Sequence, residues 1–432
     1  MENLLIMGIN TRPMVNSALK LDYNTFSISY FKTLDFINPY CEKHILHQEN
    51  IESEDSFNCG SFEDNYFPEK LLSLADEYLE SIDKIVFSTG ISADDFVGKF
   101  SKFKNKILGN LKTDNVNDKF KFYNKMKNKF NVPMAFNPVD IYEVMEIATQ
   151  YNNNQFILKP LKGSGGYGTF LLNKQTLIKF KTANLDSTIF DGNYLMQEYI
   201  SGVNLSSSLL STKNESKNII NTRLLTTDDF IYSGNILPLT FESFSKDISY
   251  IKNLNFSNFN KFNLNSFYNL SQNMENVSEE MISYFNLIGS NGVDFILSED
   301  AFKKESFDEN DLYVIEVNPR IQGTYESCEE VLGINLLDAH IKACEGEIID
   351  IPDINNNPNP LYSVKKIEYA SSDINVKNLS FYNVYDIPYE NVKIEENQPI
   401  VTIISSDSNL NLAISNLEKA SNNVKNNIEI IY

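Results

Sequence analysis

The chain has 432 residues, 42% of them apolar, enough for a sizeable core spread over two or three domains. Its 58 acidic residues against 37 basic ones leave a formal charge of -21. That balance excludes a protein whose main task is to hold nucleic acid or an anionic membrane surface, because both demand a basic face.

No run approaches the roughly 18 apolar residues that cross a bilayer. Cys41, Cys59, Cys328 and Cys344 show no CxxC spacing, so neither a zinc site nor a disulfide framework is expected and a reducing cytoplasm is the expected compartment. Only Arg12, Arg223 and Arg320 among the 37 basic residues are arginines. In a lysine-rich chain, each surviving arginine is a candidate for planar, forked anion binding that lysine cannot supply.

In chain order, "NLLIMGI" reads as a first strand, Pro13 to Leu21 as a helix opened by proline, and "TFSISYF" as a second strand. After an irregular acidic stretch, "PEKLLSLADEYLESI" carries apolar residues at helical spacing and runs into the buried strand "DKIVFSTG". Such alternation predicts a parallel sheet covered by helices, with ligands at the carboxyl ends of its strands. A helix is expected over Asp118 to Phe130, then "VPMAF" and a second helix from Val139 to Tyr151. "NYLMQEYISG" and "SSSLLSTK" read as strands, and the Asn- and Phe-rich segment 246–275 as a loosely built insertion. "PDINNNPNPLY" marks a linker into a final segment with short strands such as "PIVTIIS" and a closing helix, Leu410 to Val424.

Two stretches carry the chemistry. In "FILKPLKGSGGYGTFLL", Gly163, Gly165 and Gly168 satisfy GxGxxG, but strand-like "TFLLN" follows where a dinucleotide fold needs a helix. The loop is therefore read as a hairpin tip, a flap whose backbone amides close over phosphates, with Lys159 delivered by the preceding strand. Farther on, "GVDFIL" and "LYVIEVNPR" read as neighbouring antiparallel strands. Period-two geometry puts Glu316, Asn318 and Arg320 on one face, with Asp294 able to lie beside them. Hard oxygen donors of this kind suit magnesium shared with substrate phosphates, and Arg320 can neutralise charge on a transferring phosphoryl group.

The order "DK", "ILKPLKGSGGYG", "MQEYISG", "GVDFIL", "VIEVNPR" resembles the ATP-grasp superfamily. "EVNPRIQGT" with "GINTRP" is similar to ATP-dependent carboligases related to biotin carboxylase, and more distantly to tyramine-glutamate ligase. The resemblance implies an α/β (α+β) ATP-grasp chain. It would have a Rossmann-like pre-ATP-grasp domain at 1–110 and a two-lobed ATP-grasp domain at 111–350, with its flap lobe at about 135–200. A small C-terminal α/β lobe would follow at 360–432.

The same resemblance implies that Lys119, Lys159, Lys162, Gly163, Ser164, Gly165, Gly166 and Gly168 hold the phosphates of ATP. Gln197, Glu198, Tyr199 and Ile200 would form the hinge that meets adenine, Glu198 and the backbone of Tyr199 and Ile200 reading the base edge. Asp294, Glu316 and Asn318 would bind Mg2+, with Mn2+ as a substitute, and Arg320 and Lys159 would act in catalysis. Relatives place an acid near the ribose where this chain has Asn204. Arg12 and Arg223 are expected to face the central cleft, one of them binding a substrate carboxylate, and Cys328 to be packing.

The implied activity joins a small-molecule carboxylate to an amine through an acyl phosphate, without an enzyme nucleophile, nucleic acid or membrane, and leaves a homodimer open. A bicarbonate-using carboxylase and a non-catalytic ATP-binding sensor are the alternatives. A biotinylation-type segment is absent from the sequence.

Overall fold

The computed structural model describes residues 1–36, 39–45, 67–173, 192–246, 262–304, 306–352, 354 and 360–431. The acidic stretch before Phe67, Cys59, the second part of the flap lobe, the first part of the Asn- and Phe-rich segment and most of the linker lie outside the described residues.

Strands β1 (Glu2–Gly8), β2 (Tyr23–Ser29), β3 (Cys41–His44) and β4 (Lys84–Phe87) form a parallel sheet in the order β3-β2-β1-β4. Consecutive residues Leu4 to Met7 are all buried because both faces of the sheet are covered. Leu4 and Ile6 pack toward Met14, Val15 and Ala18 of the helix Arg12–Ala18, while Leu5 and Met7 pack toward Leu71, Leu72 and Ala75 of the helix Pro68–Ala75. The alternation read from the sequence therefore yields the parallel sheet expected of it. The second of these helices stops at Ala75, seven residues before the apolar pattern ends, and the chain continues as turns to Ile82.

β5 (Ala135–Phe136), β6 (Phe156–Pro160), β7 (Phe170–Leu171) and β8 (Tyr194–Glu198) make a second, antiparallel sheet ordered β5-β8-β6-β7, backed by the helix Ile141–Gln150. The glycine loop is the tip of the β6–β7 hairpin, as expected.

The remaining long strands are β9 (Gly202–Ser211), β10 (Ser216–Thr226), β11 (Tyr232–Leu237), β12 (Gly289–Ser298) and β13 (Leu312–Asn318). They join β14 (Tyr362–Tyr369), β16 (Val384–Tyr385) and β18 (Pro399–Asp407) in an antiparallel sheet ordered β13-β12-β9-β10-β11-β14-β18-β16. β15 (Ile374–Val376), β17 (Lys393–Ile394) and β19 (Ile428–Ile430) form a small fourth sheet. Residues 360–431 therefore extend the central sheet through the β11–β14 pairing instead of standing apart from it.

The expectation of a loosely built segment through 275 is corrected. A helix of 22 residues, Leu264–Phe285, starts inside it, capped by the Asn263 side chain on Ser266 N. It buries Phe267, Leu270, Met274, Met281 and Ile282 against Leu205, Leu209, Val293 and Phe295 of the sheet. Those apolar positions recur at helical spacing, so burial of one face outweighs the weak helix propensity of asparagine.

Candidate active site

One face of β9 and β12 is apolar and lies on the helix Leu264–Phe285, with Leu312, Val314 and Val317 of β13 in the same apolar cluster; the other face carries polar residues. On the polar face Asp294 of β12 stands directly opposite Glu316 of β13 and Ser206 of β9. A bulge between Asp294 and Phe295 sets Phe295 opposite Val314 and adds Ile315 as an extra residue. Bulges of this kind re-aim side chains next to ligand sites. Here Glu316 lines one cavity and Ile315 a second.

Asp294 is enclosed by donors: its Oδ1 accepts from Ser206 Oγ at 2.6 Å and its Oδ2 from Asn318 Nδ2 at 2.9 Å. Burial, then the facing Glu316, pushes the Asp294 carboxyl up to about 7. Burial alone would also raise Glu316, but Lys119, Lys159 and Arg320 outweigh it and hold that carboxyl below its ordinary value. The two carboxyls face each other across the β12–β13 pair. A divalent cation fits this pair because two adjacent buried carboxyls offer hard oxygen ligands and are electrostatically strained as two bare anions. Asn318 differs from its expected part in this arrangement: its nitrogen faces Asp294 and its oxygen accepts from Arg320 Nη1 at 2.8 Å, so it holds its neighbours in place.

Lys119 is positioned by a cap. Asp118 Oδ1 accepts from the amides of Phe120 and Lys121 at 3.0 and 2.9 Å, starting the helix Lys119–Met126, while the Lys119 amide donates to Leu161 O of the flap at 3.1 Å. Its ammonium donates to Gly163 O at 3.0 Å and lies 3.7 Å from Glu316 Oε2. Lys159 on β6 is buried, and burial together with the Lys119 charge lowers its ammonium to about 8. Lys162 sits at the flap's base, largely exposed and 3.4 Å from Asp114.

The flap tip is docked. Gly163, Gly165, Gly166 and Gly168 all have positive φ. Gly165 O accepts from Tyr232 N at 2.9 Å, and Gly166 lies against the carbonyl of Phe230 in the β10–β11 turn. Tyr369 Oη on β14 donates to Tyr232 O at 2.8 Å, which fixes that turn from the other side.

The second cavity, about 180 Å³, lies between the two antiparallel sheets. Ile157, Ile200, Ile296 and Ile315 contribute apolar walls, and Gln197 to Ile200 with Asn204 form one edge. A flat aromatic base suits such a slot. Two of the expected edge contacts are corrected. Glu198 is turned away to Asn154 Nδ2 (2.6 Å) and Met134 N (3.4 Å), and the Tyr199 amide donates to Gln155 O at 2.8 Å.

Of the two arginines, one of them expected to bind a substrate carboxylate, Arg223 lines the second cavity and both are engaged by the protein itself. Arg12 is buried at the start of its helix, with Nη2 2.8 Å from Glu326 and Nε 2.6 Å from Asp386 and 3.2 Å from Asp35. Its Nε and Nη2 are taken by the protein's own acids. Arg223 is buried and Nη1 donates to the carbonyls of Ser243, Phe244 and Lys246 at the end of the helix Phe241–Ser245, where the carbonyl dipoles attract a cation. Sequence reasoning missed Ser206 and the wall residues 90–95 and 108–117. The signal for the first was the period-two set Asn204, Ser206, Ser208 on one face of β9, blurred by Ser207 on the other face, and for the second the carboxyl end of β4.

Residues 116–254 and 258–324 match the ATP-grasp domain family. The chain carries an ATP-grasp domain. Over 417 residues it is 28% identical to an uncharacterized protein of Methanocaldococcus jannaschii, covering 94% of this chain and 88% of that one. The ATP-grasp fold extends over nearly the whole molecule. A biotin carboxylase–β-γ-ATP complex from Campylobacter jejuni superposes with a TM-score of 0.69 at 14% identity, over 98% of this chain and 91% of that one. The ADP complex of N5-carboxyaminoimidazole synthetase from Staphylococcus aureus gives 0.64 at 14% identity, over 97% and 96%. The biotin carboxylase domain dimer of Hydrogenobacter thermophilus 2-oxoglutarate carboxylase, solved with Mg-ADP and bicarbonate, gives 0.67 at 16%, over 97% and 89%. The likeness is one of fold, that of ATP-grasp ligases and carboxylases.

Proposed function

We propose that the chain is an ATP- and magnesium-dependent ligase that joins a carboxylate to an amine through an acyl phosphate. The observation that carries this reading is the meeting of Asp294, Glu316, Lys119, Lys159 and Arg320 at the foot of a docked glycine flap. A nucleophile is not part of the arrangement. Cys328 is buried in the helix Tyr325–Leu332, its thiol pushed up to about 11 by burial, and so is no nucleophile.

Asp294 and Glu316 would hold magnesium, which would supply charge neutralisation for the phosphates when bound. Lys119, Lys159 and the flap amides hold the triphosphate in line with the acceptor. Carboxylate oxygen attacks the γ-phosphorus, the bond to the β-γ bridging oxygen breaks, and ADP leaves. The acyl phosphate formed is then attacked by an amine, whose nitrogen gains the acyl carbon and loses a proton as inorganic phosphate departs. Arg320 faces the charge that builds on the transferred group. Positioning and electrostatics of this kind are the main sources of rate in phosphoryl transfer. Lys119, Lys159, Arg320 and Glu316 take the parts of phosphate and metal contacts, and Gln197 and Ile200 that of the adenine edge.

The test is ADP release from Mg-ATP with hydroxylamine across pools of amino acids, small carboxylates and bicarbonate. A hydroxamate that depends on one acid, and is lost in Glu316→Gln, is the expected result. ADP release with bicarbonate alone would replace the reading by a carboxylase, and tight ATP binding without turnover by a sensor.

A further inference from the structure

The first cavity, about 250 Å³, opens between the carboxyl end of β4 and the Glu316–Arg320 segment. Resting on the ligase reading, we propose that it takes a monocarboxylic acid with an apolar, uncharged tail, its carboxylate toward Arg320. The cations lining the cavity are Lys119, Lys162 and Arg320, all on the flap and metal-strand side. The N-terminal wall and the floor carry Phe87, Ile91, Ala93, Leu108, Val116 and Ile321.

Polar groups are present on that wall, and most of their hydrogen-bonding capacity is already committed. Asn110 Nδ2 donates to Asn291 Oδ1, Pro319 O and Ile288 O at 2.8–3.2 Å, and its Oδ1 accepts from Ile288 N at 2.8 Å. Thr113 Oγ1 donates to Asp94 and accepts from Asn117, each at 2.7 Å. His340 accepts from Ser290 N at 2.8 Å through Nδ1 and contacts Leu108 O at 3.1 Å through Nε2. Asp95 Oδ2 holds the Ser92 amide and hydroxyl at 2.7 and 3.0 Å.

A sugar acid or phosphate ester would therefore lose water and gain few partners, and each buried polar group left unpaired costs on the order of 1–3 kcal/mol. A second acidic group in the tail would meet Asp95 instead of a cation. The lining points the same way. The Lys119, Gly163, Ser164 and Glu316 end of the cavity is shared with the triphosphate, so the acid has the end lined by Phe87, Ile91, Ala93 and Leu108, apolar surface that bicarbonate would not use.

The experiment is calorimetric titration of the full chain, with Mg2+ and a non-hydrolysable ATP analogue, against acetate, butyrate, hexanoate and 3-phenylpropionate. Succinate, gluconate and 3-phosphoglycerate serve as polar counterparts. Binding should tighten about fourfold per added methylene, from about 0.8 kcal/mol each, and the polar acids should bind no better than acetate. Leu108→Asn should flatten the dependence on tail length and leave binding of the ATP analogue unchanged. Flat binding, binding too weak to detect for every acid, or preference for a polar acid overturns the inference. ADP release confined to bicarbonate or phosphorylated acids does so too. Tail-dependent binding without ADP release from any of these acids sinks the ligase reading alone.

Discussion

Gly166 offers a direct measure of what the docked flap contributes. A Cβ built on Gly166 would lie 1.9 Å from Phe230 O and 2.7 Å from its carbonyl carbon, where side chains do not approach backbone closer than about 3.0 Å. Alanine there must push the flap tip back by about 1 Å, and a displacement of about 1 Å at a reacting centre costs up to about 100-fold in rate. Gly165 is the internal control. Its φ of +71° resembles the +83° of Gly166, but its Cβ would meet only the Tyr167 ring at 3.4 Å. Gly165→Ala therefore bears the left-handed strain alone, about 1 kcal/mol or roughly fivefold. Measured as kcat/KM for ATP in the ADP-release assay, Gly166→Ala should fall about 100-fold and Gly165→Ala about fivefold, with thermal midpoints close to that of the wild type. Equal losses in the two variants, or wild-type activity in Gly166→Ala, would refute the docked flap as the state in which the nucleotide is held.

Three further outcomes are expected. Arg12→Gln leaves the half-buried Asp35, Glu326 and Asp386 with Lys365, 3.8 Å from Glu326, as the nearby cation and should destabilise the chain by about 3 kcal/mol in urea unfolding, the low end for breaking a buried ion pair; below the unfolding transition its KM for the carboxylate should stay unchanged. Burial and Lys119 hold the Lys159 ammonium at about 8, against Glu316 and Asp294, so affinity for an ATP analogue should be level below pH 8 and weaken by up to about tenfold per unit above it; Lys159→Arg, charged throughout, should remove that limb. Burial lowers His340 to about 4, so the unfolded chain takes up the proton first as pH falls. Its contribution, about 3 kcal/mol, is complete above the unfolded value near 6.5 and lost as pH drops toward 4, and His340→Gln should unfold with a correspondingly shallower pH dependence over that window.

Much of the site was legible because short-range rules carry it. Period two placed Glu316 beside Asp294, and four glycines before a strand announced a hairpin flap. What failed depended on contacts between distant segments. Rarity marked Arg12 and Arg223 as special, yet it cannot distinguish an arginine kept for a ligand from one kept for internal acids 23 to 374 residues away. The amide of Tyr199 looked available for a base edge, and only the strand pairing shows it spent on Gln155. The helix Leu264–Phe285 was readable from its apolar spacing, but asparagine-rich composition masked it.

The pairing of β14 with β11 also bears on how the chain emerges during synthesis. Until residues 360–431 are available, β11 has one side without a partner, and Leu225 and Ile236 lack the apolar cluster that covers them. An open antiparallel edge with exposed apolar neighbours recruits other chains. The last segment thus closes the margin of a sheet whose chemistry lies at the opposite end, on β12 and β13, and a product truncated near residue 350 should accumulate in inclusion bodies even though every ATP-site residue named above is present in it.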